Sequence, residues 1–258
     1  MARYGVIADI HGNREALAAA LGALAKRSIK RVVCLGDIIG YNADPDECVA
    51  MVRSRCDISI AGNHELISLS RLDFRRCSNN AAYALRCTRR TLSRGAAEWL
   101  AALPPNCALQ DGVVLVHGGV RDVQQYMSTP ALIQQNAEFL RADFPGARLC
   151  FFGHSHEPKA YRVDGEQVVE LPFAERVHLD KEKTCFVNPG SVDASRKSRH
   201  KLAECAVFDT LDWSVEFIRV PYDSAATEAK AVVFGYRIGP WTDRFYTLRR
   251  RIAGKIAR

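Results

Sequence analysis

The sequence predicts an α/β protein in which two β-sheets pack as layers. Over the first 61 residues, short apolar segments alternate with helical patterns, which is typical of a parallel sheet. From Lys159 onward the pattern changes to that of antiparallel strands. Five apolar segments end in glycine, aspartate, asparagine or histidine, so we expect a functional site at one edge of the layers.

The first 61 residues predict a β-α-β-α-β unit. Its predicted strands are Tyr4–Asp9, Arg31–Gly36 and Asp57–Ala61. The first helix is predicted over Asn13–Lys26, because Asn13 is a good N-cap and Lys26 suits the negative end of the helix dipole. The second is predicted from Asp44 and Pro45, a capping carboxylate followed by a proline, to about Arg53. This order implies parallel strands with right-handed crossovers.

The middle of the chain continues the mixed pattern. Residues 65–108 are predicted to be mostly helical and basic. After them we expect a strand over Gln110–Val116, a helix around Pro130–Ala142 and a strand over Leu149–Phe152. In the second half, an Asp164-Gly165 turn predicts a hairpin. Further strands are predicted at Cys185–Ser191, Glu204–Phe208 and Val215–Val220.

The domain organisation follows from these elements. We expect one domain over residues 1–223, with a helical insert at about 65–108, and a basic helical extension over 224–258 packed on the same domain. From Asp243 to Arg258, one helical face is apolar and carries Phe245, Leu248, Ile252 and Ile256. We expect this stripe to pack on the core and the basic face to lie in solvent. Such a helix could also lie on a membrane or a nucleic acid.

Composition excludes several classes of protein. The 258 residues are 48% hydrophobic and 25% charged, and no segment approaches the roughly 20 apolar residues of a membrane span. The N-terminus leads directly into a strand, so we expect no secretory signal and a cytoplasmic location. The nine cysteines include no C-x-x-C pair, so we expect reduced, mostly buried thiols. A net charge of +7 is compatible with anionic substrates.

The polar residues at the predicted strand ends have the chemistry of metal ligands. Five of the seven histidines come at predicted strand ends, shortly after apolar segments. Histidines with only a structural role, or on the surface, would not be expected to collect at such positions. The candidate ligands are Asp9, His11, Asp37, Asn63, His117, His154 and His156. Oxygen and nitrogen donors without thiolate favour Mn²⁺, Fe or Zn²⁺ over Mg²⁺ or Ca²⁺. Seven ligands suffice for two ions if one carboxylate bridges them, and we assign that role to Asp37.

These motifs resemble those of the calcineurin-like metallophosphoesterase superfamily, whose blocks read D-x-H, G-D, G-N-H-[DE], H-[GA] and G-H-x-H. All five are present, in order, at Asp9, Gly36, Gly62, His117 and Gly153. The likeness extends from residue 1 to about 223 and is especially close to small prokaryotic phosphodiesterase-type members, which have a stretch similar to Gly36–Val49 and a later Asn-Pro-Gly-Ser. It implies a double β-sheet sandwich flanked by helices.

The resemblance also implies how the ligands are shared. One ion, most commonly Mn²⁺, would be held by Asp9, His11, Asp37 and His156. The other would be held by Asp37, Asn63, His117 and His154. A hydroxide between the ions would attack phosphorus. Asp37, Asn63 and His64 are the predicted catalytic residues, with His64 stabilising the transition state or protonating the leaving oxygen.

The predicted substrate is a small phosphoester, nucleotides among them. Arg121 and Arg196 occupy positions where similar enzymes have arginine, although Gly118-Gly119-Val120 and Ala194-Ser195 replace the commoner neighbouring pairs. A solvated basic loop is the simpler explanation of these arginines. Tyr41 is a candidate for stacking on a base or phenyl leaving group.

Other functions remain open at this stage. A dinucleoside-polyphosphate hydrolase or a protein phosphatase would use the same fold. A non-catalytic binding scaffold is a different class, but it would be expected to lack ligands, and none is missing. Nucleic acid is disfavoured as a partner because no nucleic-acid-binding motif is present. A homo-oligomer is compatible with the sequence.

Overall fold

The protein is described from a computed structural model, which covers residues 2–193 and 201–256, with side chains as far as Arg249. Two six-stranded mixed sheets form its centre. The strands are β1 Arg3–Ile7, β2 Arg31–Cys34, β3 Ile58–Ser59, β4 Asn106–Ala108, β5 Val113–Val116, β6 Leu149–Phe151, β7 Lys159–Asp164, β8 Gln167–Glu170, β9 Arg176–His178, β10 Thr184–Asn188, β11 Leu202–Asp209 and β12 Ser214–Pro221.

Each sheet contains three neighbouring parallel strands, and its other strands are antiparallel. The first is β3-β2-β1-β11-β12-β9, in which β1, β2 and β3 are parallel and the rest antiparallel. The second is β4-β5-β6-β10-β7-β8, in which β5, β6 and β10 are parallel. The predicted fold class, a double β-sheet sandwich flanked by helices, is therefore confirmed. The hairpin at Asp164-Gly165 is also present, between β7 and β8.

Eight α-helices surround the sheets in the part of the chain that is described. They are α1 Arg14–Lys26, α2 Pro45–Arg55, α3 Asn63–Ser68, α4 Asn79–Thr91, α5 Arg94–Ala101, α6 Pro130–Asp143, α7 Ser224–Val233 and α8 Pro240–Ile256. Not one of them has both the length and the hydrophobicity needed to cross a bilayer.

The core has three layers because side chains alternate along each strand. On β2, Val33 points into the space between the sheets, whereas Val32 and Cys34 pack against the helices on the outer face. On β6, Phe151 lies between the sheets, and Cys150 packs on the side of α6. This period of two is what a strand buried on both faces requires.

Both helices begin where they were predicted to, but only the first has the predicted capping hydrogen bond. Asn13 accepts a hydrogen bond from the backbone N–H of Ala16 at 3.0 Å, so it caps α1. Pro45 is the first residue of α2, but the Asp44 side chain makes no capping hydrogen bond. The Asp44 carboxylate instead pairs with Lys230 of α7. The capping prediction for Asp44 is therefore wrong, since a distant cation has taken its carboxylate.

Several predicted strands are shorter or divided. The strand predicted over Asp57–Ala61 is reduced to Ile58–Ser59. The strand predicted over Gln110–Val116 begins only at Val113, because Asp111 and Gly112 have left-handed backbone, with φ of 63° and 71°. Those residues turn the chain between β4 and β5, which pair antiparallel.

The C-terminal helix packs by the face opposite to the one predicted. Tyr246 of α8 packs against a buried cluster that includes Ala81 and Leu85 of α4. Phe245 and Leu248 of the predicted packing stripe are exposed instead. The prediction failed because polar partners on α4 select the other face, as described below. Ile252 and Ile256 lie outside the residues whose side chains are described.

All nine cysteines are free thiols, as expected from their spacing. Five of them, Cys34, Cys48, Cys150, Cys185 and Cys205, are buried in the strands and helices of the main core. Burial raises the pKa of the Cys56 thiol to about 12, with the Asp57 carboxylate adding to the effect. These thiols therefore behave as small hydrophobic side chains.

Candidate metal centre

The seven candidate ligands meet at the carboxyl ends of the parallel strands. Each lies within five residues after the end of a strand, and all are buried. They are Asp9, His11, Asp37, Asn63, His117, His154 and His156. Parallel strands place their carboxyl ends at one edge, which explains why segments so far apart in sequence converge here.

Six of these residues and His64 form three groups whose ligand atoms lie within 4.8 Å of one another. The groups are Asp9 with His11 and His156, His11 with Asp37 and His64, and Asp37 with His117 and His154. Asp37 belongs to two of these groups, one with His11 and His64 and one with His117 and His154. Asn63 joins the centre through its Oδ1, which is 3.0 Å from His117 Nε2.

Several nitrogen and oxygen atoms of the candidate ligands lie within 3.3 Å of one another. His11 Nε2 and His156 Nε2 are 3.1 Å apart. His156 Nε2 is also 3.3 Å from Asp9 Oδ1, and His117 Nε2 is 3.3 Å from Asp37 Oδ2. These nitrogen and oxygen atoms converge on shared points, as ligand atoms do around an ion.

The backbone at this edge is left-handed. Asp9, His11, Asp37, His154 and His156 have φ between 53° and 62°. They make up five of the nine non-glycine residues with positive φ in the described chain. L-residues with side chains adopt this conformation at a cost, and it is concentrated at functional sites. Here it turns the chain off each strand so that successive side chains point to one place.

His117 is oriented by a backbone carbonyl. Its Nδ1 lies 2.8 Å from Leu35 O, so Nδ1–H donates there and Nε2 faces Asp37 and Asn63. Second-shell bonds of this kind fix the tautomer of a metal-binding histidine. Although burial opposes it, the Asp37 carboxylate raises the pKa of His117 to about 9. A cation bound beside Asp37 would replace the proton that the Asp37 carboxylate stabilises on the His117 ring.

The other charges at the centre are also arranged for a cation. Burial opposes ionisation of Asp37, yet the imidazoles of His117 and His64 hold its pKa well below the ordinary value. Burial, with the nearby His117, lowers the pKa of His154 to about 3, so its ring is the neutral form that binds metal. The buried His154 Nε2 has no hydrogen-bond partner among the described residues. The residues present therefore fit a divalent metal.

Glu65 is a buried residue that supports the candidate ligands and to which sequence reasoning gave no role. Its carboxylate accepts hydrogen bonds from the backbone N–H groups of Asp37, Ile38 and Ile39 at 2.8, 2.8 and 3.2 Å. It also accepts one from Gly62 at 2.8 Å. Burial and the nearby Asp37 raise the pKa of Glu65 to about 7. The available signal was its position at N3 of a helix that begins within the G-N-H-E block.

His64 lies beside Asp37 at the edge of the centre. Its backbone N–H donates to Asp37 Oδ1 at 2.8 Å, and its ring Nε2 lies 3.8 Å from Asp37 Oδ2. The ring is 4.4 Å from that of His11. It also contacts Gly40, whose φ is 140° and where an added Cβ would collide with the ring.

A cleft leads to the centre. A cavity of about 110 Å³ is bordered by Asp37, Asn63, His64, His154, His156 and, unexpectedly, Arg76. Tyr41 and Tyr126 line both this cavity and an adjoining one of about 970 Å³. The Tyr41 ring is 4.8 Å from that of His11, and the Tyr126 ring is 4.2 Å from that of His154. The two tyrosines therefore stand over different ligands of the centre.

The predicted substrate arginines have different positions. Arg121 donates to both oxygens of Asp143 at 2.8 and 2.7 Å and covers the Phe139 ring, so the structure does not bring it to the cleft. Arg196 lies outside the described residues. Arg76, which sequence reasoning missed, is held at the cleft by Asp122 and by the carbonyl of Gln124 at 2.6 Å. No sequence pattern distinguishes it from its basic neighbours.

The comparison with protein families defines the class of protein. A family model for the calcineurin-like phosphoesterase superfamily domain matches residues 2–212. The chain therefore belongs to this superfamily, whose members are generally hydrolases. The resemblance stated from the sequence is confirmed.

Individual relatives agree with this class. Protein MJ0912 of Methanocaldococcus jannaschii is 31% identical over 234 residues, which cover 88% of this chain and 90% of that protein. The crystal structure of a metallophosphoesterase from Sphaerobacter thermophilus is similar, with a TM-score of 0.75 and 29% identity over 94% of this chain and 97% of that one. Protein PH1004 from Pyrococcus horikoshii shares the fold, with a TM-score of 0.71 and 18% identity over 95% and 97% of the two chains.

Proposed function

We propose that this protein is a metal-dependent phosphoesterase that hydrolyses phosphodiester or phosphomonoester bonds at a dinuclear centre. The observation that carries the proposal is the position of Asp37, which shares one candidate ligand group with His11 and His64 and another with His117 and His154. One ion would be held by Asp9, His11, Asp37 and His156. The other would be held by Asp37, Asn63, His117 and His154. The mixed nitrogen and oxygen donors favour Mn²⁺, with Fe or Zn²⁺ as alternatives.

Two such ions would supply Lewis acidity, which activates water and neutralises charge on the phosphoryl oxygens. The protein would supply orientation. Glu65 holds the backbone of Asp37 and of Gly62, and so fixes the carboxylate and the neighbouring Asn63 together. Leu35 O holds the His117 ring with Nε2 toward the centre. A phosphoester bound in the cleft would therefore meet ligands whose positions are set before it arrives.

His64 would donate the proton to the leaving oxygen. Its backbone is tied to Asp37, and its ring borders the cavity next to the centre. Its ring Nε2 lies 3.8 Å from Asp37 Oδ2, so a proton on that ring would be close to a leaving group bound at the centre. We expect His64→Ala to retain both metals and to lower kcat by about 10²–10⁴-fold. His178→Ala on β9, outside the centre, is the matched control. Loss of metal in the His64 variant would contradict this role.

Arg76 and the two cleft tyrosines would bind the substrate. An arginine guanidinium forms strong, directed hydrogen bonds with phosphate oxygens, and Arg76 borders the cavity that contains the candidate ligands. Tyr41 and Tyr126 offer aromatic faces at the mouth. A small phosphoester that carries an aromatic group, either the base of a nucleotide or a phenyl leaving group, would suit this arrangement.

The experiment is an assay of metal-analysed protein on bis(p-nitrophenyl) phosphate and p-nitrophenyl phosphate, with Mn²⁺ and with chelator. We expect turnover that requires metal, and its loss together with both ions in Asp37→Asn. Asp212→Asn, in the β11–β12 turn, is the control. Turnover of the diester alone would favour a phosphodiesterase, and of the monoester a phosphatase. Turnover of neither, with both ions bound, would contradict the proposal and favour a binding scaffold.

A further inference from the structure

Most of the excess positive charge of the protein lies in its last helix and the two residues after it. Residues 240–258 contain six basic residues and the single acidic residue Asp243, a net charge of +5. The whole chain has a formal net charge of +7. The metallophosphoesterase chemistry proposed above does not use this charge.

Helix α8 is held to the protein by one polar face. Asn79 of α4 donates to Asp243 Oδ1 at 2.8 Å and to Thr247 Oγ1 at 3.0 Å. Tyr246, between them on the helix surface, packs into the cluster beneath α4 and lies under the Arg86 guanidinium. This face therefore fixes the rotation of α8 about its own axis.

The opposite face is apolar and exposed. Trp241, Phe245 and Leu248 are spaced i, i+4 and i+7, and 81%, 55% and 56% of their surfaces are exposed. Just before α8, the end of α7 exposes Val232, Val233 and Phe234. These six are most of the ten large hydrophobic residues that are exposed in the described chain. Soluble proteins seldom collect exposed apolar residues in one segment without a partner.

Basic side chains border the apolar face. The Arg244 guanidinium lies 5.5 Å from the Trp241 ring centre, and that of Arg249 lies 5.8 Å from the Phe245 ring centre. An amphipathic helix with aromatic and aliphatic residues on one face and arginines beside them is suited to the interface of an anionic bilayer. There the apolar side chains enter the acyl boundary while the arginines meet lipid phosphates.

We propose that the exposed face of α8, formed by Trp241, Phe245 and Leu248 with Arg244 and Arg249 beside them, binds the surface of an anionic phospholipid membrane. The helix would lie in the plane of the interface without crossing it. Asn79 anchors α8, and its neighbours in sequence, Ser78 and Asn80, line the cavity of about 970 Å³ that adjoins the cleft. The docked helix would therefore lie close to the cleft.

The charge of this surface argues against two other occupants. A second copy of the chain, joined by the same surface about a twofold axis, would bring two sets of arginines together. Nucleic acid would attract the arginines, but it offers no apolar environment to the aliphatic side chain of Leu248. An anionic bilayer satisfies both the charge and the apolar side chains.

The test measures binding of the full chain to vesicles. Vesicles of phosphatidylcholine alone are compared with vesicles that also contain phosphatidylglycerol, by sedimentation and by tryptophan fluorescence. Trp213 is buried and Trp99 is partly buried, whereas Trp241 is exposed, so Trp241 should dominate any blue shift on binding. We expect binding and a blue shift with the anionic vesicles alone, both weakened by salt.

Variants separate the contributions of the surface. Trp241→Ser with Phe245→Ser should weaken binding by about tenfold or more, since two large side chains lose their burial. Phe173→Ser is the matched control, because Phe173 is 53% exposed elsewhere in the chain. Arg244→Gln with Arg249→Gln should weaken binding and reduce its dependence on salt. Arg75→Gln, on an exposed arginine before α4, is the control for charge.

Other outcomes would overturn the proposal. One is failure of the full chain to bind anionic vesicles at low salt. A second is equal binding by the Trp241 and Phe245 double variant. A third is a dimer in light scattering that the same double variant abolishes. A fourth is salt-dependent binding of duplex or single-stranded DNA that depends on Arg244 and Arg249 while anionic vesicles do not bind.

Discussion

At the residue scale, the candidate ligands are held in conformations that their own backbones disfavour. A left-handed L-residue costs about 1–2 kcal/mol, and five of the seven ligands are left-handed. The surrounding hydrogen bonds oppose this cost. The N–H groups of Ile10 and His11 both donate to Asp37 O at 2.8 Å, which ties the first ligand loop to the second. His154 N–H donates to the Asp9 carboxylate, which ties the last loop to the first.

Glu65 contributes the most hydrogen bonds to this frame, and its replacement is the first test. Glu65→Gln puts an amide N–H₂ where backbone N–H groups now meet a carboxylate, so some of them lose their acceptor. We expect metal affinity or kcat to fall by about 10–100-fold, as for other outer-shell partners of metal ligands. The measurement is metal content by elemental analysis, together with turnover.

Glu98→Gln on the exposed surface of α5 controls for the loss of a carboxylate, since Glu98 pairs only with Arg94 in the part of the chain that is described. It should keep full metal content and activity. Normal metal content and normal turnover in Glu65→Gln would mean that the four backbone bonds do not position the ligands.

A second residue test concerns Gly40, whose backbone approaches the His64 ring. The φ of 140° disfavours any side chain, and a Cβ would collide with the ring. We expect Gly40→Ala to displace His64 and to lower kcat while the metals remain bound. Gly22→Ala in α1 is the control, because nothing lies within 4 Å of its added Cβ and alanine favours a helix. Unchanged turnover in Gly40→Ala would show that kcat does not depend on the position of the His64 ring.

At the scale of elements, α7 is joined to the site-bearing half of the chain by ionic bonds. Lys230 pairs with Glu15 at 2.8 Å and with Asp44, so it connects α7 to α1 and to the start of α2. Thr227 adds hydrogen bonds to Asn13 and Glu15, both at 3.0 Å. The Asp44 carboxylate that would have capped α2 serves this contact between elements.

The pH dependence of stability tests this contact. Burial would raise the pKa of Glu15, but the bonds from Lys230 and Thr227 bring it below the ordinary value of 4.5. A lowered carboxyl pKa stabilises the folded protein above pH 4.5, and this contribution is lost as the pH falls through the folded pKa. We therefore expect Lys230→Met to lower the free energy of unfolding at pH 7 and to have less effect near pH 3.

The groups are partly exposed, so the difference at pH 7 should be no more than about 1 kcal/mol. Urea unfolding at the two pH values measures it. Lys26→Met, on the exposed end of α1, should change little at either pH. An equal loss of stability at both pH values would indicate that Lys230 acts through packing of its alkyl chain.

At the scale of the whole molecule, two sheets and the loops at one edge bring together ligands from residue 9 to residue 156. The centre therefore exists only in the folded chain, so metal binding should stabilise the fold. At a metal concentration one hundred times Kd, the gain is about 2.7 kcal/mol. For a chain of this size, that gain corresponds to an increase in Tm of about 5–10 °C.

Calorimetry with added Mn²⁺, and with chelator, measures this gain. Asp37→Asn should remove most of the shift, because the shared carboxylate is lost. Asp212→Asn should retain it. A Tm that does not respond to any of Mn²⁺, Zn²⁺ or Fe²⁺ would contradict a metal centre at these residues.

Much of the fold could be predicted because its signals are local. The β-α-β-α-β order, the cap at Asn13 and the Asp164-Gly165 hairpin each depend on a few neighbouring residues. The two-residue β3 and the late start of β5 at Val113 were not predictable in the same way. Their limits are set by pairing with β2 and β4, which lie elsewhere in the sequence.

The sequence by itself determined the class of protein and the chemistry of its centre, because ligand types and their order after apolar segments are written in the chain. Only the tertiary structure decided which basic and acidic residues lie beside that centre. Arg76 borders the cleft and Arg121 does not, and Glu65 gathers four backbone N–H groups from two loops. The tertiary structure also decided that the apolar face of α8 is exposed, because Asn79 binds the opposite, polar face of that helix. The reason is physical: these choices depend on partners distant in sequence, whose positions exist only after the sheets have packed.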